Sequence, residues 1–156
     1  MCWRSIILIG VCLSGAVSSF YAIAGNANVG EYTTRTVKLD DDDFDRDRVG
    51  RLEWRGGFEI TSMDSRFGGL SGLYINPKGQ RLTAVSDRGY WFHAGLRYKN
   101  GHLIGLSQPK LSILKDRRGK PVKGVTADAE SIATRDDQSM LVSFERRHRV
   151  WSYTSA

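Results

Sequence analysis

From Val49 to the end, the chain is a series of short apolar strings separated by polar turns. RLEWRGGFEI (Arg51 to Ile60) alternates apolar and polar positions and is rich in aromatics, which predicts a half-buried strand. LSGLYI (Leu70 to Ile75) runs into Asn76-Pro77-Lys78-Gly79, a turn sequence, and RLTAVS (Arg81 to Ser86) returns, so the pair predicts a hairpin. YWFHAGLRY (Tyr90 to Tyr98), Lys99-Asn100-Gly101 and HLIGL (His102 to Leu106) predict a second hairpin, because Asn and Gly both tolerate positive φ. SIAT (Ser131 to Thr134), the turn Arg135 to Gln138, SMLVSF (Ser139 to Phe144) and RVWSYT (Arg149 to Thr154) continue the rhythm. No stretch keeps a 3.6-residue period over a helical length, so the expected class is all-β.

The rhythm contains a repeat. SGLYINPKGQRLTAVSDRGYWF (Ser71 to Phe92) matches ESIATRDDQSMLVSFERRHRVW (Glu130 to Trp151) in its order of apolar strand, polar turn, second strand, acid-arginine pair and aromatic strand. The two pairs, Asp87-Arg88 and Glu145-Arg146, stand 58 positions apart. Four-stranded repeats of roughly 40 to 50 residues predict a β-propeller, with Lys115 to Ala127 accounting for the excess length. Propellers carry about 4 to 8 blades. The residues from Arg51 onward suffice for roughly two, so a partial, truncated propeller with open sheet edges is expected.

The first 24 residues have a different texture. Arg4 precedes an apolar core from Ile6 to Val17, and Ala22-Ile23-Ala24 forms an A-x-A cleavage pattern before Gly25. This core is shorter than the roughly 18 residues of a membrane span. A cleaved signal peptide over 1–24 is expected, with a periplasmic or secreted product and no stable membrane span after cleavage. Residues 25–48 are expected to form a flexible, polar and acidic lead-in ending in the charge run LDDDDFDRDR, and 49–156 the domain itself. Cys2 and Cys12 both lie in the removed segment, which excludes disulfides, thiolate metal sites and a cysteine nucleophile from the mature chain. Arg4 is the one charged residue removed, so the formal charge falls only from +6 to +5. That surplus is interleaved with acids and has no basic helix, which argues against nucleic-acid binding.

Four polar clusters carry candidate chemistry. In Ser86-Asp87-Arg88-Gly89, Asp87 suits a metal or a base and Arg88 an anion clamp, unless Asp87 merely caps the turn. Asp128-Ala129-Glu130 puts two carboxylates on one face of a strand, suited to a hard cation or an acid/base pair. In Glu145-Arg146-Arg147-His148-Arg149, strand alternation would set Glu145, Arg147 and Arg149 against Arg146 and His148, either as an anion grip or as a solvated charge run. Arg66 to Gly72 has paired glycines for a close backbone approach or an amide nest. Ser71 is no nucleophile elbow, since Leu73 stands where G-x-S-x-G needs glycine. Read from Asp41, the aspartate run fails as an EF-hand, with Arg46 and Leu52 in place of the required Gly and Glu. His93, His102 and His148 lack metal-ligand spacing, and Trp54, Trp91 and Trp151 read as packing residues.

The strings VGRLEWRGGFEI, SRFGGLSGLYI, AVSDRGYWF, ADAESIA and SFERRHRVWSY, in this order from Val49 to Tyr153, resemble the N-terminal half of the phytase-like (esterase-like) domain of bacterial exported proteins. The family domain is about twice as long. The resemblance implies a propeller, export, and hydrolysis of phosphate or carboxylic esters, although fold alone does not fix a reaction. In a phytase-type mechanism Asp87 and Glu130 would be catalytic. Asp128 and Glu130, with Glu145 or Asp87, would hold a metal, Ca²⁺ being the expected ion. Arg88, Arg146, Arg147 and His148 would bind a small anionic or ester substrate. The other expectation is a non-catalytic propeller that binds a ligand or protein.

Overall fold

A computed structural model describes residues 3–8, 26–29 and 31–154. Its strands run in chain order: β1 (Trp3–Leu8), β2 (Asn26–Val29), β3 (Tyr32–Val37), β4 (Arg48–Val49), β5 (Leu52–Glu53), β6 (Gly57–Ser62), β7 (Leu70–Ile75), β8 (Arg81–Ser86), β9 (Tyr90–Lys99), β10 (His102–Ile113), β11 (Ala129–Thr134), β12 (Met140–Phe144) and β13 (Arg149–Tyr153). One 3₁₀ turn, Gly124–Thr126, interrupts them. The class is all-β, as the sequence pattern implies.

Three antiparallel sheets follow one another: β1-β6-β3-β2, then β10-β9-β8-β7, then β11-β12-β13, with β4 and β5 as a separate small ribbon. They are open sheets joined through two cores. In the first, Tyr32, Phe58 and Ile60 of the first sheet meet Leu82, Ala84, Phe92, Ala94 and Leu96 of the second, with Phe67 from the connecting loop. In the second core, Val85, Trp91 and Leu114 meet Ala129, Val142 and Phe144 of the third sheet. The middle sheet thus packs on both faces through its central strands β8 and β9. Strand periodicity sends Phe92, Ala94 and Leu96 to one side and Trp91 to the other. This double burial explains why RLTAVS reads as a nearly continuous buried run after Arg81 rather than as an alternation.

The repeat seen in the sequence is structural. β7 pairs with β8 with a register shift between Leu70 and Gly72, and β11 pairs with β12 with a shift between Ala129 and Ser131. Ser71 and Glu130 are therefore corresponding bulges. Each bulge brings its strand's start beside the end of the next, where Asp87 N–H donates to the Gly69 carbonyl and Glu145 N–H to the Asp128 carbonyl, both at 2.9 Å. The first strands are offset by 59 residues and the second by 58.

Gly72 lets β7 and β11 approach. A Cβ there would lie 2.8 Å from Ile132 N and 2.9 Å from Ser131 Cα, both backbone atoms. Gly72→Ala is expected to destabilise the chain by about 1–3 kcal/mol, the usual range for overpacking. Gly105→Ala, where a Cβ meets nothing within 4 Å, serves as the control in thermal denaturation. Equal melting temperatures for the two variants would refute the close approach of these strands.

Several expectations need correction. The lead-in over 25–48 is not uniformly loose: Tyr32–Val37 is a strand paired along its length with β6, with Tyr32 and Thr34 buried. The Thr-rich YTTRTV has strand propensity that a reading by polarity passes over. Arg51 to Ile60 is two strands rather than one, broken where Gly56 takes φ +112°. Residues 145–148 are a turn, so strand alternation does not sort Glu145 to His148. The signal-peptide expectation over 1–24 falls mostly outside the described residues. Of that segment the backbone of Trp3–Leu8 is described, as a strand paired with β6.

Candidate functional site

The bulges and turns at the starts of β7 and β11 position the acids. Asp128 precedes β11, Glu130 is its bulge residue, and Glu145 opens the turn after β12. The hydrogen bond from Glu145 N–H to the Asp128 carbonyl holds the two chain segments together. As a result Asp128, Glu130 and Glu145 each offer a carboxylate oxygen within 4.8 Å of the others. Oxygens sharing one Ca²⁺ at about 2.3–2.6 Å stand within roughly 5 Å of each other, so this all-oxygen set fits a hard cation. Asp128 and Glu130 do converge, as their i, i+2 spacing suggested, although the bulge rather than a regular pleat brings them together.

Asp87, at the corresponding corner of the middle sheet, joins this group electrostatically. Burial pushes its carboxyl above the ordinary range; Arg88 opposes the shift and Asp128 adds to it. Glu130 is also raised, first by desolvation, then by repulsion from Asp128, Glu145 and Asp87. Carboxyl groups that hold their protons more tightly than usual are suited to general acid/base work.

The basic residues separate by role. Arg146 Nε contacts Asp128 Oδ2 at 2.8 Å while its side chain stays largely exposed. Arg147 and His148 are exposed on the same turn. Arg88 turns inward: its Nη1 donates to the carbonyls of Ser65 (3.1 Å) and Phe67 (3.2 Å), and its Nε stands 3.9 Å from Asp87 Oδ1. Arg149 is structural. Its guanidinium lies 3.7 Å from the Phe144 ring centre and 4.3 Å from that of Trp151. It also donates to the carbonyls of Arg147 and Thr126, tying the 145–148 turn to the 3₁₀ turn. Burial lowers its pKa. The signal for this role was an arginine between aromatic positions, and the surrounding charge run obscured it.

Two residues shape the site: Ser86, whose role the sequence did not suggest, and Gly69, one of the paired glycines expected to allow a close backbone approach. Ser86 is fully buried, and its hydroxyl donates to the Gly68 carbonyl at 2.7 Å and accepts from Arg88 N–H at 3.1 Å. Gly69, at φ +59°, lies directly under the Asp87 carboxylate.

This paired corner falls within the segment, residues 65–156, that matches the family model described as "Phytase-like: Esterase-like activity of phytase". The chain belongs to the phytase-like family. The matched segment begins just before the Phe67-Gly68-Gly69 loop and includes both acid corners of the phytase-like chain. No curated protein and no solved structure matches it. Among the described residues no helix is long and apolar enough to cross a membrane.

Proposed function

We propose that this phytase-like chain is an exported hydrolase of phosphate or carboxylic esters, working at the paired corner where β7 and β11 begin. The observation that supports it is the meeting of Asp128, Glu130 and Glu145 within 4.8 Å, with Asp87 acting on the same group. Asp128, Glu130 and Glu145 would hold Ca²⁺, which when bound supplies a polarised water and neutralises anionic charge on the substrate. Asp87, whose carboxyl is raised by burial, moves protons to and from the ester oxygen and the attacking water, and Glu130 would assist from the rim of the cation site. Arg146, Arg147 and His148 present donors to the anionic group from the exposed turn. Arg88 acts from behind, since its guanidinium is engaged by the carbonyls of Ser65 and Phe67. In this reading the sheets are consecutive blades of a propeller, whose channel side gathers the corners. Export rests on the n-region, apolar core and A-x-A pattern of residues 1–24.

The test is turnover of p-nitrophenyl phosphate and p-nitrophenyl acetate with calcium and with chelator. Glu130→Gln is expected to lower kcat by about 100-fold or more, within the range of general acid/base catalysis. Failure of the purified chain to turn over either ester would sink the hydrolase. Calcium-dependent ligand binding without turnover would point instead to a binding propeller.

A further inference from the structure

Asp87 and Glu145 occupy corresponding corners and make the same backbone hydrogen bond, to Gly69 and Asp128 respectively. What differs is the residue that accepts. In the third sheet it is Asp128, whose side chain belongs to the acid group; in the middle sheet it is glycine. A Cβ built on Gly69 would lie 2.5 Å from Asp87 Cγ, and closer still to Oδ1. The carboxylate of Asp87 therefore fills the space that any side chain at 69 would need.

The glycine is itself braced. The buried Ser86 hydroxyl bonds the Gly68 carbonyl at 2.7 Å, the Asp87 N–H bonds the Gly69 carbonyl, and Arg88 Nη1 ties down the carbonyls of Ser65 and Phe67. Phe67, between these anchors, is fully buried in the first core. The loop under Asp87 is thus fixed by three consecutive residues, Ser86, Asp87 and Arg88.

We propose that Gly69 is a positioning residue for Asp87, its missing side chain forming a seat that holds the carboxylate toward the acid corner of the third sheet. The seat rests on the reading of that corner as the reaction site. Without a side chain at 69 the carboxylate can lie in this place; with one it is forced out of it. Misplacing a reacting group by about 1 Å can cost on the order of 100-fold in rate.

A double-mutant cycle tests this. Gly69→Ala is expected to lower kcat by at least about 10-fold with little change in KM. In an Asp87→Ala background the same substitution should cost much less kcat, because the carboxylate it displaces is gone and only the strain of alanine at φ +59° remains. Gly69→Ala activity equal to wild type, or an equal loss in both backgrounds, overturns the proposal; the second result would make Gly69 merely structural. A second measurement is independent of turnover: the ¹³C carboxylate resonance of Asp87 at fixed neutral pH, compared between wild type and Gly69→Ala. A moved resonance supports the seat even if no ester is hydrolysed, an outcome that would count against the hydrolase alone. An unmoved resonance overturns the seat whatever the activity.

Discussion

Phe92→Ala is expected to destabilise the chain by about 3–5 kcal/mol, the range for deleting a fully buried phenylalanine side chain. Phe92 is wholly buried and sits 5.4 Å from the Tyr32 ring centre and 5.2 Å from that of Phe67, which are themselves 5.3 Å apart. The three rings come from the first sheet, the connecting loop and the middle sheet. Deleting one leaves a cavity the other two cannot fill, because each is anchored by its own strand or loop. Domains are stable by only about 5–15 kcal/mol, so the variant should melt on the order of 15 °C lower or fail to fold. Phe92→Leu, which keeps most of the volume, should lose much less. A loss below about 1 kcal/mol for Phe92→Ala would mean that the first and middle sheets do not share this core.

That triad also shows how far the sequence could be read. Phe92 lies on a strand whose limits, like those of β7 and β8, follow from turn chemistry: Asn76-Pro77-Lys78-Gly79 and Asn100-Gly101 leave few registers open. Tyr32 was hidden because its strand is threonine-rich and follows a segment without apolar alternation. Its burial depends on pairing with β6, some 25 residues away, and no local pattern reports that. β10 runs to Ile113, beyond the predicted end at Leu106, because a bulge near Gln108, at φ +47°, absorbs the Pro109 that would otherwise end a strand.

The site divides in the same way. Asp128 and Glu130 were legible as a pair because two residues of strand spacing is a local quantity. Their meeting with Glu145 comes from the β11–β12 hairpin, which returns the turn after β12 beside Asp128, and strand spacing alone does not report it. The inward role of Arg88 was not legible, because it depends on the Ser65 and Phe67 carbonyls, more than twenty positions upstream. An acid-arginine dipeptide looks the same in sequence whether the arginine faces substrate or the backbone behind it.

The second large effect concerns calcium and pH together. Glu130 and Asp87 have pKa values raised in the folded chain, so above their ordinary values the folded state holds more protons than the unfolded one. Their contribution to stability is present below the unfolded pKa and is lost as pH rises through the folded pKa. Asp40, Asp64, Asp116 and Asp137 behave in the opposite sense. Hydrogen bonds, from Arg46, from Arg66, from the Lys120 backbone and from Ser139, lead in lowering their pKa values, and what they contribute is lost as pH falls through those depressed values. Without a divalent cation, the acid corner therefore opposes folding at neutral pH. Calcium should reverse this. At a free concentration of a hundred times its dissociation constant it adds about 2.7 kcal/mol, seen as a melting temperature higher by roughly 10 °C at pH 7. The gain should shrink toward pH 4 as protons compete for the same oxygens. Glu130→Gln should melt at or above the wild-type temperature in chelator, because a repelling charge is gone, yet gain little from calcium. Asp137→Asn, at an exposed turn away from the corner, should keep the full calcium response. A calcium response equal in wild type and Glu130→Gln would place the ion elsewhere, and none in wild type would leave the three carboxylates as an unrelieved repulsion whose persistence the chain's own packing must support.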